Sequence, residues 1–452
     1  MLVSWQQVLS HDCTCGLLSC AVLQHRRCSA SPQLIFRNGD PTWCVRRHVC
    51  LHVQEGWFEL TILRTDTVDS IEGELGRTIG QIMHKFFFAG AAHNLESAGL
   101  RIDLAGGGHV VIFLTLSMVI GDEGALHALY GCKGASGVRS CCLCRNVFNF
   151  AKGRRNPVEA DSSGSSVHIS CADDTKLQLH STGTLKAVAN RLDTVEATSN
   201  KTLLKEVETQ LGWNRVAGGV MQNVALFTLF DPSLKACFDW MHVYMVSGIF
   251  NLEGGLLMLA LKDYRFLPET VDRYMGVWAW PKRLFNKGHD AFSAKRAKAS
   301  LEAGTLKVSA SEGLNVYMVL AMFVSAILRD PATPASLKPH IECFLALAGV
   351  IGLLQATGRK LVGPQILRRA VLKHMGLFQQ LYGREHTIPK HHCALHLWAF
   401  LQRWGCLLAC FTGERKHRSV KTPAGRLIYF NVSGFLVGAE ALAFRRCSAE
   451  SF

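Results

Sequence analysis

Four sets of residues in this 452-residue chain have types and spacings that chemistry uses. Cys141 and Cys144 form a C-x-x-C, and His168 with Cys171 forms an H-x-x-C after a 23-residue gap (145–167). Close pairs of this kind close tetrahedral zinc sites, each supplying two ligands from one turn. The two pairs are read as one Zn²⁺ set that fastens the loop between them, against the alternative of ordinary buried thiols. Asp122 follows an apolar run and is expected at the end of a strand, where rigid backbone fixes a carboxylate for a divalent ion while the next loop stays open; a surface turn is the plain alternative. Asp239 and His242, three apart, share one helix face, as a metal or catalytic pair or as an N-cap followed by a core-facing histidine. Glu414 stands among Arg415, Lys416, His417 and Arg418, with Lys421 close behind. It is either in surface ion pairs or a metal ligand at the lip of a phosphate-binding surface.

The rest of the chain must position these groups. With 48% hydrophobic residues it can bury a sizeable core over two or three domains, so a wholly disordered chain is excluded. Lys and Arg number 49 against 35 Asp and Glu, which points to an anionic partner, nucleic acid first. The 17 cysteines are odd in number and scattered, and MLVSWQQVLSHD lacks a basic segment followed by an apolar one. Together these favour a reducing compartment, with thiols free or on metal, over a secreted disulfide scaffold. The apolar runs Val110 to Ile120, Val316 to Leu328 and Cys343 to Leu354 stop short of the roughly 18 to 20 residues a membrane span needs, so no membrane is expected.

Residues 1–55 hold six cysteines with little helical or strand period, and are read as a poorly patterned N-terminal segment. The spacing of Ile71, Leu75, Ile79, Ile82, Met83 and Phe86 predicts an amphipathic helix, and Val110 to Ile120 a single buried strand. Residues 152–166 read as a polar loop. Asp239 to Lys262 reads as one buried helix, followed by helices at about 312–329, 337–357 and 364–382. Between them Trp278, Trp280, Phe285 and Phe292 interleave with Lys282 and Arg283, a pattern suited to stacking on single-stranded or distorted DNA as well as to a solvated helix flank. Lys133, in the Gly/Lys loop, is counted with that basic surface.

In order, GDEGALHALYGCKGASGVRSCCLCRN, FDWMHVYMVSGIFNLE, WAWPKR, PKHHCALHL and CFTGERKHRSVK resemble the core of CACTA-superfamily DDE transposases, over residues 56–421. The resemblance implies an α/β fold: an RNase H-like mixed-sheet core in residues 56–150 and 381–421, interrupted by a mainly helical insertion at 151–380 and followed by an atypical tail at 422–452. It implies that Asp122 and Glu414 are the second and third members of a catalytic triad. The first should precede residue 56, and Asp40 is the candidate there. Cys141 and Cys144 match the family's cysteine motif, and Asp239 with His242 its Asp-x-x-His. Two Mg²⁺ (or Mn²⁺) held by such a triad would activate water for strand cleavage and then a 3′-hydroxyl for transfer. The implied partners are transposon ends and target DNA, with a possible homo-oligomer, in the nucleus. Both ends of the chain depart from the pattern, so a decayed copy is expected, one that keeps its fold and DNA affinity better than its catalysis. A non-catalytic zinc-containing DNA-binding or interaction protein is the alternative.

Overall fold

The computed structural model describes residues 3–6, 15–20, 58–64, 71, 73–88, 94–103, 109–112, 116–134, 137–149, 166–266, 268–278, 280 and 288–411. The expected site residues Asp40, Lys282, Arg283, Glu414, Arg415, Lys416, Arg418 and Lys421 lie outside them. In chain order the elements are β1 (Val3–Gln6), β2 (Cys15–Cys20), β3 (Phe58–Arg64), α1 (Glu74–Phe87), β4 (Leu100–Asp103), β5 (His109–Ile112), β6 (Val119–Gly121), α2 (Glu123–Tyr130), β7 (Val147–Phe148) and β8 (Val167–His168). There follow α3 (Thr182–Glu196), α4 (Lys201–Leu211), α5 (Val224–Phe230), α6 (Pro232–Lys235), β9 (Ala236–Phe238), α7 (Trp240–Tyr244), α8 (Ile249–Asp263) and α9 (Pro268–Gly276). The last are α10 (Ala294–Ala303), α11 (Ala310–Arg329), α12 (Lys338–Thr357), α13 (Pro364–Tyr382), α14 (Pro389–Ala394) and α15 (Leu397–Trp404). The chain is thus mainly helical with a small strand component, compatible with an α/β class.

Its contacts divide it into two units, residues 1–131, 215–236 and 410–452 in one, and 132–214 and 237–409 in the other. In the first, β1, β2 and β3 form an antiparallel sheet and β4 pairs antiparallel with β5. The apolar run expected as one strand is divided between β5 and β6. Helix α1 buries Ile79, Met83 and Phe87. A Cβ at Gly76 would come within 2.8 Å of the Leu129 carbonyl oxygen, and one at Gly80 within 2.6 Å of Leu226. This Gly-x-x-x-Gly face is therefore what lets α2 and α5 lie against α1.

The second unit is built on helices. β7 and β8 pair in parallel, joining the two sides of the polar segment at 152–166. Helix α11 starts on a capping box in which the Ser309 hydroxyl accepts from Glu312 N–H and the Glu312 carboxylate accepts from Ser309 N–H. Arg296 of α10 grips the same carboxylate with both nitrogens, at 2.8 and 2.9 Å. The segments between α11, α12 and α13 are short, and successive helices pack against one another.

The single helix expected from Asp239 to Lys262 is two, α7 and α8, broken at residues 245–248. Ser247 takes a positive φ of 43°, and a Cβ at Gly248 would meet the Val243 carbonyl oxygen at 2.5 Å, so the chain turns too tightly there for a continuous helix. Among the described residues, three helical segments, Trp240–Asp263, Ala310–Arg329 and Lys338–Thr357, are long and apolar enough to cross a membrane by length and composition. They exceed the apolar runs from which no span was expected. Within the protein 72%, 50% and 50% of their most apolar windows is buried.

Candidate metal centre

Cys141 to Cys144 makes a tight turn whose Leu143 N–H donates to Cys141 Sγ at 3.4 Å. Backbone on the far side holds the turn rigidly. Arg145 N–H donates to the Gln178 carbonyl at 2.9 Å and His180 N–H to the Leu143 carbonyl at 2.7 Å. Asn146 completes the brace: its amide nitrogen donates to the Lys176 carbonyl at 2.9 Å and its oxygen accepts from Gln178 N–H at 2.8 Å. Asn146 is fully buried, and its side chain substitutes for a strand partner that the local chain lacks.

The second half of the centre comes from the other end of the unit. Helix α14 opens with Pro389 at its first position and carries His392, and the backbone continues in helical bonds to His396 at the start of α15. Histidines at i and i+4 face the same way. The His396 ring is held between Phe238 and Phe400, with centroids 5.9 and 6.3 Å away.

The four donor atoms converge. His396 Nε2 lies 3.6 Å from Cys141 Sγ, 3.5 Å from Cys144 Sγ and 3.2 Å from His392 Nε2. All four residues are buried, and their ligand atoms lie within 4.8 Å of one another. Bonds of about 2.3 Å to sulfur and 2.0–2.1 Å to nitrogen on a tetrahedron put sulfur and nitrogen about 3.6 Å apart and two nitrogens about 3.3 Å apart. The observed edges match both. Burial alone would raise the Cys141 thiol, but its hydrogen bond with Cys144 and the imidazoles of His392 and His396 outweigh it and hold Cys141 well below its usual range. Burial and the neighbouring Cys141 push Cys144 up instead. Two cysteines and two histidines form a donor set that suits a metal ion such as zinc, with every ligand supplied by the protein.

His392 and His396 were not foreseen as ligands, although His-x-x-x-His was legible as a ligand spacing. The expected completion by His168 and Cys171 is replaced by them. His168 Nδ1 accepts from Ser170 N–H at 3.2 Å and lies 2.7 Å from the Ser170 hydroxyl, while the Cys171 thiol is directed at the Asp173 carbonyl at 3.5 Å. His391, between the pair in sequence, faces elsewhere. It accepts from Ile388 N–H and stacks on Phe378 at 4.5 Å, and burial, with His374 near, depresses it to about 3.

Asp122 does follow a strand, β6, as expected. It also caps α2, with Oδ1 accepting from Ala125 N–H at 2.6 Å. Asp239 caps α7 through Met241 N–H at 3.1 Å, and its other oxygen is 2.5 Å from His242 Nδ1, both side chains being buried. Both features of the N-cap reading, the cap and a core-facing histidine, are therefore present. Lys133, counted with a DNA surface, pairs with Glu208 at 3.5 Å and is mostly buried. Of the aromatic and basic stretch, Phe292 is in the core, Trp280 donates its indole N–H to the Met275 carbonyl at 3.0 Å, and Trp278 is exposed. No family model matches the chain, and neither the curated proteins nor the solved structures contain a match to it.

Proposed function

We propose that the chain is a transposase-derived DNA-binding protein of CACTA-type ancestry, whose Cys141–Cys144–His392–His396 centre holds a structural zinc ion. One observation carries the reading: two of the sequence blocks that resemble the family, around 141–144 and 389–397, supply the two halves of one tetrahedral donor set.

In this reading β6 and Asp122 belong to an RNase H-like core interrupted by the helical unit, and the zinc fastens the start of that insertion to its end. Asp122 then serves with Glu414 and an upstream carboxylate, Asp40 being the candidate, as an oxygen ligand for Mg²⁺ or Mn²⁺ in cleavage and transfer of DNA strands. The basic residues around Glu414 follow the phosphates of transposon ends and target DNA in the nucleus, in a homo-oligomer. The copy is decayed, and binding outlasts chemistry.

A second reading is a non-catalytic zinc-containing DNA-binding or interaction protein. It is favoured by the bond from Ala125 N–H to Asp122, which gives that carboxylate a structural task as the N-cap of α2. One experiment tests the DNA function that the two readings share and the catalysis that only the first allows. The purified chain is assayed for binding to terminal-repeat DNA over a salt series, and for cleavage and strand transfer with Mg²⁺ or Mn²⁺. Salt-sensitive binding without cleavage is expected. Robust cleavage abolished by Asp122→Ala overturns the decay, and absence of DNA binding overturns the ancestry-based function altogether.

A further inference from the structure

A second cluster of ligand-type side chains lies in the core of the helical unit, apart from the Cys/His centre. Glu253 on α8, Cys343 on α12 and His374 on α13 come from three helices, and each is entirely buried. Their ligand atoms lie within 4.8 Å of one another. The Glu253 Oε2 to His374 Nε2 distance is 2.6 Å. The remaining oxygen of Glu253, Oε1, and the remaining nitrogen of His374, Nδ1, have no hydrogen-bond partner, nor does the buried hydroxyl of Tyr244 beside them. Burial first, and the Glu253 charge second, raise the Tyr244 phenol. The same two causes raise the Cys343 thiol, which hydrogen-bonds to Glu253.

A carboxylate in a dry helical core costs several kcal/mol unless its charge is answered. Of its neighbours only His374, 2.6 Å from Oε2, can carry a countercharge, whereas Tyr244 and Cys343 are neutral; and three unpartnered polar atoms at one buried cluster, Glu253 Oε1 itself among them, is far from the usual state of a protein interior. A divalent cation held by Glu253, Cys343 and His374 answers that charge directly. One carboxylate and one thiolate cancel a charge of +2, so the filled site is neutral, as full burial requires. Sulfur, nitrogen and oxygen in one set match a borderline ion such as Zn²⁺ or Co²⁺ rather than Mg²⁺ or Cu⁺.

We propose that Glu253, Cys343 and His374 form a second transition-metal site of the zinc class, distinct from Cys141–Cys144–His392–His396. The described geometry is its proton-filled form. On metal entry the Cys343 S–H proton leaves to solvent as the metal–sulfur bond forms. The imidazole proton passes from Nε2 to the unpartnered Nδ1, freeing Nε2 for the metal, and no electron changes hands. The oxygen–nitrogen edge then opens from 2.6 Å to about 3.3 Å, the separation of two ligands at 2.0–2.1 Å on a tetrahedron. The proposal does not depend on any activity towards DNA.

The test is metal stoichiometry and cobalt spectroscopy on the full chain. Expressed with ample zinc, the wild type is expected to hold two equivalents, Cys343→Ser one, and the Cys141→Ser, Cys144→Ser double variant one. If a variant fails to fold, the wild type alone decides. Stepwise Co²⁺ loading of metal-free protein should raise the sulfur-to-cobalt charge-transfer band by half again as the second ion adds one thiolate to the two already bound. One equivalent in the wild type, two retained in Cys343→Ser, or a band that stops growing after the first ion would each overturn the second site.

Discussion

The two buried clusters of the helical unit hold similar residue types in opposite states of readiness. At the Cys/His centre His396 Nε2 stands 3.2 to 3.6 Å from the other three donor atoms, as it would around an ion. At the Glu253 cluster a 2.6 Å bond has closed the gap, and a proton sits where an ion would. The difference follows from what positions each donor. Cys141 and Cys144 sit on a turn braced by Asn146 and by backbone bonds to residues 176–180, so they cannot collapse towards the histidines. Glu253 and His374 project from separate helices on flexible or rotatable side chains, and nothing but packing keeps them apart. A rigid backbone scaffold preorganises a site, whereas three helices meeting through side chains leave it to relax.

The sharpest way to break this comparison is to remove one donor from the braced centre. Cys144→Ser is expected to abolish binding of one zinc and to lower the unfolding free energy by on the order of 5 kcal/mol, because metal binding and folding of such a site share one free energy. Chemical denaturation with and without a chelator reads it; a variant as stable as the wild type and indifferent to chelator would remove zinc from the stability of the unit. Next in size is Glu253→Ala, which strips the relaxed cluster of its acceptor and opens a cavity, for a loss of about 3 kcal/mol. Were it neutral or stabilising, the carboxylate would be a cost without a structural return. The smallest effect lies outside both clusters and sets the background. Arg296's hydrogen bonds hold the Glu312 carboxyl at about 2 instead of the ordinary 4.5. The unfolded chain therefore binds this proton first, and the stabilisation, complete above pH 4.5, is lost as pH falls towards 2. For a partly exposed pair that is about 1 kcal/mol. Glu312→Gln should flatten this limb of an acid denaturation series without altering metal content.

Much of the helical unit was legible from the sequence, and the reasons are local. The helices expected at 312–329, 337–357 and 364–382 form at 310–329, 338–357 and 364–382, because their starts carry Ser309 with Glu312, or a proline at the first turn, and their apolar spacing is helical. The break inside Asp239–Lys262 was not legible, since Ser247 and Gly248 are unremarkable in a run otherwise apolar enough for one helix. Half of the candidate metal centre could be read from Cys141 and Cys144. The other half lay 252 residues further on, and the nearer pair, His168 and Cys171, had the better claim by spacing alone. Nothing local marks Glu253, Cys343 and His374 as companions. Each is a single polar or sulfur-bearing side chain on its own helix, and only the packing of α8, α12 and α13 makes them neighbours.

The distance in sequence between the two halves of the braced centre also sets a timetable. Closing a loop of 252 residues costs roughly 5 kcal/mol of chain entropy, and the helices between the ends lower that cost by shortening the path. During synthesis at roughly 5 to 20 residues per second, Cys141 and Cys144 emerge about 13 to 50 seconds before His396 exists. Throughout that interval a reactive thiol pair, later wholly enclosed, stands open to oxidation and to the wrong metal, and the clasp is necessarily among the last parts of the unit to close.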